Sequence, residues 1–113
     1  NALISDGQMQ GAHEEIAEAI RSGTRLPTAY GTMGAILLYQ NQPGAAIRYL
    51  VQAVELSSDY VEAFNNLALA YEQAGQPRKA AAAYQNVVRL WKGDPGYRES
   101  IQDRIRQLTG DSL

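Results

Sequence analysis

The sequence predicts an all-α fold built as a stack of repeated units, and three observations predict it. One pattern is written twice, 34 residues apart, between Pro27 and Leu90. Apolar residues within each copy recur at helical spacing. Pro, Gly and Asn stand where helices would start and stop. An internal period of this length marks a solenoid, because one unit cannot bury its apolar face and its neighbours must cover it.

The period is visible residue by residue. Laying PTAYGTMGAILLYQNQPGAAIRYLVQAVEL over VEAFNNLALAYEQAGQPRKAAAAYQNVVRL pairs Ala29 with Ala63, Gln42-Pro43 with Gln76-Pro77, Ala46 with Ala80, Val54 with Val88 and Leu56 with Leu90. Tyr30 faces Phe64, Met33 faces Leu67, Gly34 faces Ala68, Leu50 faces Tyr84 and Ala53 faces Val87. Aromatic and small side chains keep their places, and the Pro that begins a helix recurs in register.

The two copies resemble the tetratricopeptide repeat, a pair of antiparallel helices with an aromatic, Leu, small, Tyr opening and an Ala, aromatic, Ala closing. In the second copy Phe64, Leu67, Ala68, Tyr71, Gly75, Ala80, Tyr84 and Val87 occupy those positions. In the first, Tyr30, Met33, Gly34, Leu37, Ala46, Leu50 and Ala53 do so, with Asn41 in place of the usual turn Gly. Asn tolerates a left-handed backbone, so the turn is expected to survive. The family's Pro near the end of the second helix is Ser58 in copy one, and in copy two Asp94-Pro95 arrives late. The resemblance implies an antiparallel helix-pair solenoid coiled as a right-handed superhelix.

Taken in order, residues 9–22 read as a half repeat, with Met9, Ala12, Ile16, Ala19 and Ile20 on one stripe and Glu14, Glu15 and Glu18 opposite. Its partner helix is missing except for a last turn around Leu3 and Ile4. The chain is therefore expected to be a piece of a longer protein. Ser22-Gly23 ends this helix. Residues 27–60 form a repeat whose first helix starts at Pro27, where the missing amide costs nothing, and runs to about Gln40. Residues 61–94 form the next, with Ser58-Asp59 as a polar cap before a helix from about Tyr60 to Ala74.

Ala46 and Ala80 read as crossing points, where a larger side chain would overpack the contact by roughly 1–3 kcal/mol. Residues 95–108 form a capping helix behind Asp94-Pro95. Tyr97, Ile101, Ile105 and Leu108 line its inner stripe, while Arg98, Glu99, Gln102, Asp103 and Arg106 face away. Trp91 is expected to seal the joint with this helix through Tyr97 or Ile101, with an exposed binding role as the alternative. Thr109 to Leu113 read as a frayed tail.

Composition bounds the function. The chain has 113 residues, enough for one domain, and ten Lys and Arg against twelve Asp and Glu. Such a balance supplies no field to attract nucleic acid or an anionic membrane. No cysteine is present, so thiol chemistry and disulfides are excluded while the redox compartment stays open. No apolar run reaches the length of a membrane span, and a soluble chain is expected. Two lysines beside eight arginines point to a GC-rich bacterial source, with cytoplasm and periplasm both open.

The chemistry-bearing residues are sparse. His13 is the single histidine, beside Glu14 on an expected solvated face, so no His-centred relay can assemble within the chain. Neither a zinc set nor a calcium-type loop is present, and the glycines build no phosphate loop. No enzyme, metal or cofactor is expected.

What remains is a surface. In the family that the copies resemble, the first helices line a concave groove. Carried over, its facing positions are Thr28, Gly31, Thr32, Ala35, Leu38 and Tyr39, then Glu62, Asn65, Asn66, Leu69, Glu72 and Gln73. The groove carries no Lys/Arg clamp for an acidic chaperone tail. Leu38, Tyr39 and Leu69 would make an apolar floor, with Asn65 and Asn66 pairing with a peptide backbone. Alternatively, Leu38 and Tyr39 pack against the N-terminal helix or a neighbouring repeat and touch no ligand. The leading function is a scaffold for a peptide or partner domain. The second is homo-association through Met9, Ile16 and Ile20, and the third a regulatory arm of a larger enzyme.

Overall fold

The computed structural model describes residues 6–110, and these form six helices with no strand among them. They are α1 (Asp6–Arg21), α2 (Pro27–Tyr39), α3 (Pro43–Leu56), α4 (Val61–Gln73), α5 (Pro77–Leu90) and α6 (Pro95–Thr109). Each packs on the next, and α2 also packs on α4. The result is an all-α helical-repeat solenoid with principal extents of 47 × 24 × 24 Å. Leu3 and Ile4, read as the last turn of a preceding helix, and Asp111 to Leu113 lie outside the described residues.

Helix boundaries follow local chemistry. Pro occupies the first turn of α2, α3, α5 and α6, where the backbone amide would have no intrahelical partner. The turns inside the two copies are the same turn. Asn41 has φ 61° and Gly75 has φ 75°. The amides of Gln42 and Gln76 each donate to a carbonyl five residues back, Leu37 and Tyr71, both at 2.9 Å. This double return of the chain satisfies the terminal carbonyls that a helix end leaves bare. Gly23, at φ 89°, closes α1 in the same way.

Several expectations are corrected. Ser58 and Asp59 do not cap α4: the cap position falls on Tyr60, with no side-chain bond to the first turn. Asp59 instead accepts a hydrogen bond from Ser57 Oγ at 2.9 Å. Asp94 does hold the cap position of α6, yet its side chain bonds nothing there, and its carbonyl receives the Trp91 indole N–H at 2.9 Å. Arg98 does not face away. It reaches back to the Trp91 carbonyl, because the Trp91–Tyr97 ring pair, with centroids 4.5 Å apart, folds that loop over the start of α6. Thr109 is helical, its hydroxyl bonding the Ile105 carbonyl at 2.9 Å. His13 is half-buried rather than fully solvated.

The core runs through all the repeat helices. Met33, Leu50 and Val87 are the largest fully buried side chains. Ala46 and Ala80 are both 0% exposed, as crossing points require. At the N-terminal end Met9 is buried, and Ile16 and Ile20 pack against the core with Ala17, whereas Ala19 is exposed. Of the stripe read for homo-association, Met9 is buried while Ile16 and Ile20 are half-buried.

Candidate functional site

The candidate site is the side of the stack formed by α2, α4 and α6. Adjacent helices α2 and α4 pack directly, and α6 reaches α4 through side chains. Tyr97 donates from its hydroxyl to Asn65 Oδ1 at 3.4 Å, and Arg104 donates to Glu72 Oε1. Both bonds span 32 residues, so α6 stands beside α4 in one consistent register. Pro95 lies two repeat lengths beyond Pro27, which could have shown from sequence that α6 continues the row of first helices.

The expected groove residues divide by environment. Tyr39 is 56% exposed and Leu69 38% exposed. Thr28, Thr32, Glu62 and Gln73 are exposed, and Ala35, Leu38 and Asn66 are half-buried, with Leu38 packed against the core. Asn65 is half-buried with its carbonyl oxygen engaged by Tyr97. Two positions are not available as a lining. Gly31 is buried beneath Tyr60, whose hydroxyl would lie 2.5 Å from a Cβ placed there. Glu72 is tied into the structure, accepting from Tyr84 at 2.6 Å and from Arg104.

The Glu72 cluster is the main electrostatic feature of the site. Burial opposes ionisation of Glu72, but the hydrogen bonds from Arg104 and Tyr84 outweigh it and hold the carboxyl below its ordinary value. Burial, reinforced by the Glu72 charge, pushes the Tyr84 phenol far above its ordinary value, so it remains a donor. Bonding to Glu72 likewise raises Arg104. The cluster joins α4, α5 and α6, and its geometry is that of a structural clasp. Tyr60 is also raised, by burial and then by the nearby Glu62 charge. Sequence reasoning placed Tyr97 against Trp91 but missed its bond to Asn65, and it missed Tyr60 and Arg104, since a contact between helices leaves no local pattern.

Among the described residues no group of three His, Cys, Asp or Glu is placed to hold a metal ion. No helix among them is long and apolar enough to cross a membrane. The arrangement offers an open apolar and polar surface for non-covalent contact.

Comparison with known proteins agrees with this architecture. A family model described as tetratricopeptide repeat matches residues 32–95. The TPR repeat-containing thioredoxin TDX of Arabidopsis thaliana is 30% identical over 79 residues, covering 70% of this chain and 21% of the relative. Protein ycf37 of Pyropia yezoensis is 28% identical over 87 residues, covering 77% of this chain and 49% of the relative. The chain thus spans half or less of the length of these relatives. Two crystal structures of MamA superpose with TM-scores of 0.74 and 0.73 at 22% identity, each covering 92% of this chain and, respectively, 68% and 62% of the other.

Proposed function

Because the chain belongs to the tetratricopeptide repeat family, we propose that it is a protein–protein interaction scaffold that holds a peptide or partner domain on its α2–α4–α6 face. Members of this family generally serve as non-enzymatic interaction scaffolds, and this chain is read as one. The reading divides it into a half repeat at 9–22, repeats at 27–60 and 61–94, and a capping helix at 95–108. The partner is protein rather than nucleic acid, since the net charge of −2 gives no pull on phosphate.

One observation carries the site. Among the described residues the large apolar side chains left exposed are Leu26, Tyr39 and Leu69, and two of these three sit on the inner helices. Exposed aromatic and aliphatic anchors beside half-buried amides suit a peptide laid across the helices. The lining is Thr32, Ala35, Leu38, Tyr39, Asn66, Leu69 and Gln73, with Asn65 contributing its amide nitrogen.

The test is a quantitative pull-down with the wild-type chain and with Tyr39→Ala combined with Asn66→Ala. Loss of a partner identified with the wild type, at an unchanged melting temperature, supports the groove. Equal capture by both rejects it. A second reading, a repeat arm serving an enzyme domain elsewhere in a longer protein, is favoured by the likeness to the repeat-containing thioredoxin. Activity of the whole protein with and without this segment separates the two.

A further inference from the structure

We propose that the α2–α4–α6 face selects a cationic, apolar segment: one large apolar side chain seated on Tyr39 and Leu69, and Lys or Arg directed at Glu62 and Glu99. The proposal deepens the groove reading and rests on it. Its basis is an asymmetry in how the charges of this face are used. Helices α2 and α4 contain no Lys or Arg. All the cations of α6 are engaged within the chain: Arg98 donates to the Trp91 carbonyl, Arg104 to Glu72 and Arg106 to Asp103.

The acids are not used up in the same way. Glu72 and Asp103 are paired, but Glu62 and Glu99 are exposed, and among the described residues neither has an ion pair. At twice the 34-residue spacing, Glu99 falls in the row of Gly31 and Asn65, and Glu62 in the row of Thr28. A ligand on this face therefore meets two exposed carboxylates without an ion pair among the described residues, while Arg104 and Arg106 are paired with acids and Arg98, still charged, is half-buried against the Trp91 carbonyl. An acidic segment meets repulsion, while a basic one gains two attractive pairs.

Exposed pairs are individually weak, so the charges discriminate between ligands and the apolar anchor supplies most of the affinity. Tyr39 suits that second role, because a desolvated Tyr is among the side chains that carry most of an interface's binding energy, and Leu69 adds apolar area beside it.

The experiment selects a random-peptide phage library on the immobilised full chain. Dissociation constants of the selected peptides are then measured at low and high salt for wild type, Glu62→Gln with Glu99→Gln, and Tyr39→Ala with Leu69→Ala. The expected pool is rich in Lys or Arg beside a Phe, Leu or Ile. Removing both carboxylates should weaken binding roughly threefold to tenfold and flatten its salt dependence. Removing both anchors should abolish it, with each variant's circular dichroism melt showing the fold retained. Neutral or acidic peptides, or basic ones indifferent to the Glu62 and Glu99 changes, overturn the cationic preference. If those peptides still require Tyr39 and Leu69, the groove itself stands. Binding indifferent to the anchors, or no peptide selected, overturns both.

Discussion

Gly34 and Leu50 meet at a helix crossing with no room for a methyl group between them: a Cβ on Gly34 would lie 2.3 Å from Leu50 Cγ. Leu50 is 0% exposed and has nowhere to move. Gly34→Ala should therefore destabilise the chain even though Ala favours a helix by about 1 kcal/mol over Gly. Overpacking at the upper end of the roughly 1–3 kcal/mol range outweighs that gain, for a net loss of up to about 2 kcal/mol in urea unfolding. A midpoint equal to or above wild type would contradict the crossing.

Asn41 holds the left-handed backbone that Gly75 holds in the second copy. Asn41→Gly should raise stability by about 0.5 kcal/mol by relieving its Cβ, and Asn41→Ala should lower it by about 1 kcal/mol. Thermal melts of the three proteins give the ranking Gly, Asn, Ala. Any other order removes the turn strain from the account.

Glu72 is predicted to make part of the stability depend on pH. Its carboxyl titrates lower in the folded chain than in the unfolded one, so ionised Glu72 favours the fold. That contribution is complete at neutral pH, begins to fade near the ordinary value of 4.5, and is lost as pH falls through the lower folded value. Glu72→Gln should cost about 1–2 kcal/mol at neutral pH, the scale of a hydrogen bond to a charged group, with the gap to wild type closing in acid. A gap independent of pH would remove Glu72 from the clasp.

Trp91 reports on whether α6 belongs to the same cooperative unit as the repeats. Its ring packs against Tyr97 at a tilt of 47° and its carbonyl accepts from Arg98, so its fluorescence should change in the same transition as the far-ultraviolet circular dichroism of the whole chain. Trp91→Ala should cost roughly 2 kcal/mol, below the range of a fully buried Trp because the ring is half exposed. Two separated transitions in the wild type would show α6 unfolding by itself.

The elements most legible in the sequence are those governed by local chemistry. Pro27, Pro43 and Pro77 start helices because a Pro lacks the amide that a first turn leaves unused, and Asn41 and Gly75 end them because they accept a positive φ. Ala46 and Ala80 were readable as crossings because only a small residue in register serves there. The candidate site was readable only in part. Tyr39 and Leu69 show up as exposed apolar residues, but Gly31 and Glu72 occupy the same pattern and are covered or engaged by Tyr60, Tyr84 and Arg104.

By itself, then, the sequence determined the helical repeat, its turns and its small-residue crossings, since backbone preferences and a 34-residue period are properties of neighbours along the chain. Tertiary structure alone decided that Ile16 and Ile20 of α1 pack against the core, that Arg98 folds back to the Trp91 carbonyl, and that Arg104 pairs with Glu72 while Glu62 and Glu99 have no ion pair among the described residues. Those outcomes depend on which side chains from distant helices arrive within hydrogen-bonding distance, and only the packing of the stack sets that distance.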